Sequence, residues 1–285
     1  MGKLTSPGYV SRLLAGHGIR LKKKWGQNFL VDENIVDKIM AAADIDNSES
    51  VVEIGPGIGA LTVQLAKRAG KVIAVEIDAR LISVLKETLA EYANVEVIHS
   101  DAMDIDYEEL SAGGTLKLVA NLPYNVATPL LYRFLKQYRD IFSVLVCMVQ
   151  KEVAERMVAL PGGRDYGTLS VLCSYAAQTE MLFNVPGTVF FPRPDVASAV
   201  VRLRPDRPVL VPGSEDAFFS VVESVFSQRR KTILNTLHAT FGLSKEELLN
   251  LGGIAGIDMA RRGETLSVPE FAKLTHLIYN ILSDR

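Results

Sequence analysis

Val51-Val52-Glu53-Ile54-Gly55-Pro56-Gly57-Ile58-Gly59-Ala60 is a short apolar run that breaks into glycines and then resumes as a helix-forming pattern. It encodes a buried strand, a tight turn and a helix start, because glycine lets the backbone turn sharply and approach a ligand at the helix N-terminus. The ligand that suits such a turn is a nucleotide or nucleoside. Read as G-x-G-x-x-A, the stretch also fits the dinucleotide fingerprint, so the loop alone does not choose between NAD and S-adenosylmethionine. A tight turn with no ligand is the plainer alternative, and three glycines within residues 55–59 argue against it.

Outward from that loop, short apolar runs alternate with helical patterns, which marks a parallel sheet wrapped by helices. Strands are expected at 51–54, 71–77, 95–99, 116–121 and 142–149, with a closing pair at 180–185 and 198–203. Helices are expected near 60–68, 80–92, 128–138 and 151–159. Pro205, Pro208 and Pro212 can continue neither a ladder nor a helix, so residues 205–213 read as a linker. Helical patterns follow near 214–226, 230–241, 244–251 and 268–282, and Ser244 with Glu247 forms a capping box. The expected organisation is a basic segment, residues 1–30, an α/β domain at 31–204, the linker, and a smaller all-helical domain at 214–285.

A chain of 285 residues suits one large domain with a smaller one attached, and 48% apolar with 22% charged residues permits a sizeable core. That composition excludes disorder, a collagen-like repeat and a disulfide scaffold. Apolar stretches such as 144–149 fall far short of the roughly 20 residues needed to span a bilayer, so no membrane partner is expected. Cys147 and Cys173 form no CxxC pair, which suits a reducing cytoplasm and argues against a thiolate metal site. The net charge of -2 hides a segregation: residues 1–30 carry six Lys or Arg and no acid, whereas residues 31–203 hold 15 basic and 23 acidic side chains. A basic, acid-free N-terminus also fits an organellar transit peptide. Five glycines among the first 26 residues are expected to spoil an amphipathic helix there, which argues for a cytoplasmic protein. Lys22, Lys23 and Lys24, with Arg229, Arg230 and Lys231, are the densest acid-free clusters and the candidate contacts to a polyanion.

Glu76 stands 21 residues beyond Gly55, at the end of the second strand, where a carboxylate can accept hydrogen bonds from both ribose hydroxyls. A carboxylate there disfavours a 2'-phosphate and hence NADP. Asp101 follows the third strand, placed to accept a hydrogen bond from an adenine amino group; its alternative is a helix N-cap. Glycine turn, Glu76 and Asp101 after three successive strands describe an adenosine clamp, and the third member favours S-adenosylmethionine over NAD. No His or Tyr-x-x-x-Lys follows as a proton donor for an oxidoreductase.

Asn121-Leu122-Pro123-Tyr124 closes the fourth strand at the carboxyl edge of the sheet. Pro123 holds Leu122 extended, so that its carbonyl can face a site instead of a ladder. An exocyclic purine amine is a poor nucleophile because its lone pair is delocalised into the ring. Two acceptors, the Asn121 side-chain oxygen and the Leu122 carbonyl, can hold its hydrogens and aim the lone pair at an electrophilic methyl, with Tyr124 stacked on the base. An Asn-Pro turn with Tyr124 in the core is the competing reading.

With these residues in place the sequence resembles the ribosomal RNA adenine N6-dimethyltransferases of the KsgA/RsmA type. The resemblance runs over nearly the whole chain: Gly26-Gln27-Asn28-Phe29-Leu30, the 53–59 loop, Glu76, Asp101 and Asn121-Leu122-Pro123-Tyr124. It continues in Phe190-Phe191-Pro192-Arg193-Pro194, Ser198-Ala199-Val200 and Phe226-Ser227-Gln228-Arg229-Arg230-Lys231-Thr232, with no departure in the catalytic motifs. It implies a Rossmann-like class I methyltransferase sheet and transfer of methyl groups to N6 of two adjacent adenines in a hairpin near the 3' end of small-subunit rRNA. The implied setting is a pre-ribosomal small subunit, with the protein a monomer. The candidate cofactor residues are Gln27, Asn28, Leu30, Gly55, Gly57, Glu76, Ile77, Asp101, Ala102 and Asn121. In such enzymes the aromatic of F-x-P-x-P packs on the target adenine, which maps to Phe190, with Phe191 beside it. A large-subunit methylase of the macrolide-resistance type and a non-catalytic assembly or transcription factor on the same fold are the alternatives. The F-x-Q-R-R-K-T segment with the longer helical domain, and the intact Asn121 and Tyr124, speak against them.

Overall fold

The computed structural model describes residues 3–19, 27–206, 214–228 and 230–283. Its strands are β1 (Phe29–Leu30), β2 (Ser50–Ile54), β3 (Lys71–Glu76), β4 (Val95–His99), β5 (Leu116–Asn121), β6 (Phe142–Gln150), β7 (Ala177–Val185), β8 (Phe190–Phe191) and β9 (Ser198–Pro205). The helices are α1 (Pro7–Gly16), α2 (Glu33–Ala43), α3 (Ala60–Ala66), α4 (Ala79–Thr88), α5 (Tyr107–Ser111), α6 (Ala127–Gln137) and α7 (Lys151–Met157). They continue as α8 (Thr168–Ala176), α9 (Glu215–Phe226), α10 (Ile233–Phe241), α11 (Lys245–Ala255) and α12 (Val268–Ser283). None of the described helices is long and apolar enough to cross a membrane.

The first compact unit takes the chain up to Ala154 and then Gln178–Pro205. Seven strands form one sheet in the order β4-β3-β2-β5-β6-β9-β7. The run from β4 to β6 is parallel and β9 is antiparallel to β6. Covered on both faces, the inner strands are mostly Val, Ile, Leu and Ala, with Glu53 and Lys117 buried among them, whereas edge strand β4 is only partly buried. From β2 the chain moves outward through β3 to β4, then returns to β5 on the other side of β2. That reversal opens a crevice at the carboxyl ends of β2 and β5, where open α/β sheets bind ligands.

Helix α2 is capped by Asp32, whose side chain accepts the Ile35 N–H, and it buries Ile35, Val36, Ile39, Met40 and Ala43 as one face. That face packs with Leu65, Val119, Val146 and Met148. The N-terminus corrects the sequence reading, because α1 forms in spite of its glycines. Pro7 opens it, Gly8 and Gly16 fall in its end turns where helix propensity matters least, and Val10, Leu13 and Leu14 pack with Phe29, Ile58 and Leu81. Predicted helix 80–92 stops at Thr88, and the Asn94 side chain instead braces the turn by donating to the Ala66 and Ala69 carbonyls.

The second unit gathers Glu155–Ala177 and Asp206–Arg285. Its first segment lies inside the continuous 31–204 range expected from the sequence, so the compact units do not follow that division. Tyr175 at the end of α8 explains why: its ring stacks on Phe218 of α9 at 4.7 Å and meets Phe219 at 5.5 Å. Tyr166 likewise donates its hydroxyl to the Leu266 carbonyl at 2.8 Å. Ser214, Thr232 and Ser244 cap α9, α10 and α11, and the Ser244–Glu247 box forms as expected. Most of the expected linker, 207–213, lies outside the described residues.

Candidate active site

Strand β2 ends in the glycine turn, and the β2–β3 register that pairs Ile54 with Val75 places Glu76 beside Gly55. Gly55 donates its N–H to the Val75 carbonyl at 2.9 Å. Gly57 has φ +61°, and a Cβ added there would stand 2.9 Å from the Phe29 ring, so only glycine fits. Glu76 is 5% exposed, and its two oxygens accept the Gly57 N–H at 3.1 Å and the Asp78 N–H at 2.9 Å. Burial raises its pKa, with the two backbone donors pulling the other way. The carboxylate therefore shapes the glycine turn besides lying along the cleft, a role that needed the strand register to be seen.

Asp78 is a site residue the sequence reading missed. It caps α4, pairs with Arg80 and accepts from Gln27 Nε2 at 2.7 Å, and its pKa is lowered, chiefly by the Arg80 hydrogen bond. Gln27 is thereby fixed at the cleft wall. Antiparallel pairing of β1 with β8 (Phe29 with Phe191, Leu30 with Phe190) seats the rest of that segment. Asn121 Nδ2 donates to the Asn28 carbonyl at 3.1 Å, which ties the end of β5 to the same segment.

Asp101 Oδ1 accepts the Met103 N–H at 2.8 Å in a turn closed by Asp104 N–H on the Asp101 carbonyl at 2.9 Å. It is not a helix cap, since α5 starts later behind Asp106. Leu122 donates its N–H to the Met148 carbonyl at 3.0 Å, and its own carbonyl accepts no hydrogen bond among the described residues. The Tyr124 hydroxyl lies 2.7 Å from Ser198 Oγ, and burial raises its pKa.

These residues line one cleft that opens to solvent, bordered by apolar walls and a few convergent polar groups. Gln27, Asn28, Leu30, Gly55, Gly57, Glu76, Ile77, Asp101, Ala102, Asn121, Leu122, Pro123 and Tyr124 all border it. Ile77 is 40% exposed, an apolar side chain held open at the wall. Phe190 is the exception: at 4% exposure it packs in the core with Leu30, Met148 and Val200 and is not among the residues that border the cleft. In a two-residue strand neighbouring side chains face opposite ways, so partly exposed Phe191 turns instead towards Phe29 and Ile58.

Glu53 was quoted in the loop without a role. It borders the cleft at 1% exposure, its Oε2 has no hydrogen bond among the described residues, and burial, opposed by the nearby Thr62 hydroxyl and helped by the Glu76 charge, raises its pKa to about 8. An orphaned buried polar group at a cleft wall fits a polar ligand or ordered water. Of the expected polyanion contacts, Arg230 and Lys231 are exposed ahead of α10. Lys22, Lys23, Lys24 and Arg229 lie outside the described residues.

A dimethyladenosine transferase from Plasmodium falciparum superposes with a TM-score of 0.71 at 30% identity, covering 86% of this chain and 95% of its own. The 23S rRNA methyltransferase ErmE superposes at 0.67 with 25% identity, covering 88% of this chain and all of its own. The sheet order and the cleft at its reversal thus define a Rossmann-like methyltransferase. More narrowly, the chain belongs to the ribosomal RNA adenine dimethylase family, whose model matches residues 18–279. A relative from Pelotomaculum thermopropionicum named ribosomal RNA small subunit methyltransferase A is 49% identical over 284 residues, which is 95% of this chain and 96% of that protein. The protein of the same name from Moorella thermoacetica is 47% identical over 288 residues, 98% and 99% of the two chains.

Proposed function

We propose that this chain uses S-adenosylmethionine to dimethylate N6 of two adjacent adenines in a hairpin near the 3' end of small-subunit rRNA. On this reading it acts as a cytoplasmic monomer on a pre-ribosomal small subunit. The observation that carries the chemistry is the pair of oxygens at the end of β5. The amide nitrogen of Asn121 is committed to the Asn28 carbonyl, which turns Oδ1 away from it, and the carbonyl of the next residue, Leu122, accepts no hydrogen bond among the described residues. Full-length relatives named for the small subunit support the choice of RNA.

S-adenosylmethionine, when bound, supplies an electrophilic methyl group, and the clamp residues fit its polar parts. Glu76 keeps lone pairs for ribose hydroxyls, Asp101 can accept from the adenine amino group, and the unpartnered Glu53 oxygen offers a further polar contact. The rest of the work falls to the chain. Asn121 Oδ1 and the Leu122 carbonyl accept the two hydrogens of the target amine and turn its lone pair out of the ring. Tyr124 stacks on the base, its hydroxyl fixed by Ser198. Transfer would move the methyl carbon from sulfur to nitrogen, the sulfur keeping the bonding pair and leaving as an uncharged thioether; the amine nitrogen then carries the positive charge, and the proton it sheds is held at one of the two oxygens before passing to water. The monomethyl amine still has one hydrogen, which either oxygen can hold. Because both acceptors are uncharged, losing one partner costs less than stranding a buried ion would.

Mass spectrometry of small-subunit RNA from cells with and without the gene tests reaction and substrate together, and paired N6,N6-dimethyladenosines should vanish with the gene. Purified protein should also convert a hairpin carrying N6-methyladenosine to the dimethyl form. Modification of large-subunit RNA instead would reassign the substrate, and a stalled monomethyl product would overturn the two-step use of the oxygens.

A further inference from the structure

Arg133 does not border the cleft, yet a single guanidinium there holds the loop that carries Asp101. From the middle of α6 its Nη1 donates to the Ala102 carbonyl at 2.8 Å and its Nη2 to the Ile105 carbonyl at 2.7 Å. Nη2 also reaches Tyr138 Oη at 3.2 Å, and Nε reaches Gln137 Oε1 at 3.4 Å. The Tyr107 and Tyr138 rings lie 5.5 and 5.1 Å from its central carbon, so aromatic faces cover the charge. The fully buried Tyr107 adds its own hydroxyl to the Ala102 carbonyl at 2.9 Å.

Residues 101–106 belong to no strand or helix, and the turn at Asp101 is closed only by its own short-range bonds. Fixing such a loop relative to the sheet takes an outside brace, and Arg133 bonds two of its carbonyls at once. A planar fork does this with two nitrogens held at a fixed spacing; a lysine carries all its donors on one nitrogen at the end of a flexible stem and fixes two separated carbonyls less firmly. The brace stands on α6, which begins at Ala127, joined to Asn121-Leu122-Pro123-Tyr124 through Asn125 and Val126. Arg133 therefore links the helix that follows that tetrapeptide to the loop that carries Asp101.

We propose that Arg133 is a positioning residue for adenine recognition. By tying the Ala102 and Ile105 carbonyls to α6 it holds the Asp101 carboxylate where it selects a nucleoside with a 6-amino group over one with a 6-oxo group. The proposal rests on the S-adenosylmethionine reading above, and it concerns the identity of the base more than the total affinity.

The test is calorimetric binding of S-adenosylhomocysteine and of S-inosylhomocysteine to the full chain, to Arg133→Met, Arg133→Lys and Asp101→Ala, and to the Arg133→Met/Asp101→Ala double variant. The wild type should prefer the adenosyl ligand by about tenfold or more. Arg133→Met should reduce that preference about fivefold, with less than about a twofold change for the inosyl ligand. Arg133→Lys should fall between. Asp101→Ala should abolish the preference, and adding Arg133→Met to it should change nothing further, as for two residues acting through one contact. A merely structural arginine would weaken both ligands alike, and an idle one would weaken neither; either result overturns the proposal. Because the readout is a ratio on one preparation, partial unfolding of a variant does not imitate it. A wild type that binds neither ligand would instead bring down the cofactor reading, and the proposal with it.

Discussion

Replacing Glu76 with alanine should loosen the glycine turn before any ligand arrives. The side chain accepts two backbone N–H groups, at 3.1 and 2.9 Å, from a position 5% exposed. Hydrogen bonds to a charged partner contribute about 1.5–3 kcal/mol each, but part of that is offset by the burial that raises this carboxylate's pKa. Water entering the open cleft would also rehydrate the freed donors. A net loss of about 2–4 kcal/mol follows, which for a chain of this size lowers the melting temperature by about 3–7 °C. Binding of S-adenosylhomocysteine should weaken at least about tenfold, or roughly 1.4 kcal/mol, since the ribose acceptor and the turn are lost together. Glu76→Gln keeps the volume and one acceptor but turns an amide NH₂ towards a backbone donor, so it should fall between wild type and alanine in both assays. Thermal melts without ligand, paired with titration calorimetry, separate the two effects. A Glu76→Ala variant that melts within about 1 °C of the wild type would refute the idea that this carboxylate builds the turn.

Asn121→Ala should keep measurable cofactor affinity but lose about a hundredfold or more in methyl transfer, measured in single turnovers on an RNA hairpin; near-normal turnover would make the motif a turn and nothing else. Glu53 holds its proton in the folded chain to about pH 8 but ionises near 4.5 when unfolded, so the folded state binds the extra proton and stability falls as pH rises through that window. Glu53→Gln should flatten the decline, by up to about 1.4 kcal/mol per pH unit, in urea melts between pH 5 and 8.5; parallel profiles would exclude Glu53 as the source. Phe190→Ala should cost about 3 kcal/mol of stability, as expected for a core ring, and a variant that melts normally yet loses turnover would return that ring to the substrate. Removing the charges of Arg230 and Lys231 should flatten the slope of log affinity for RNA against log salt by about 1.5 while S-adenosylhomocysteine binding stays intact, and an unchanged slope would put the RNA elsewhere.

What could be read from the sequence was whatever local pattern determines. The glycine turn, the alternation of strands and helices, the Ser244 cap and the placing of Glu76, Asp101 and Asn121 at strand ends follow from short-range chemistry, whereas Gln27, Asn28 and Leu30 entered only through the family resemblance. Features set by register or by distant pairing could not be read. Glu76 meets the Gly57 N–H only because β2 and β3 align as they do, and Gln27 reaches Asp78 across residues far apart in sequence. Strands β1 and β8 have two residues each, too few to show a period, so nothing local says which of Phe190 and Phe191 turns inward. Helix α1 misleads for a related reason: a glycine count ignores where in the helix the glycines fall.

The interrupted membership of the helical unit has a consequence for the order in which the protein is made. Emerging from a ribosome, the chain delivers every strand of the central sheet by Pro205, so the sheet can close while synthesis continues. Helix α8 has by then been in the open since Ala176, and the ring it offers, Tyr175, awaits Phe218 and Phe219 from α9. Translating residues 206–285 takes roughly 4–16 s, and through part of that interval an apolar helix stands without its partners. Cutting the gene after residue 205 would make that interval permanent. Such a truncation leaves a sheet domain carrying α8 without its aromatic partners, and an aggregation-prone product is the expected result.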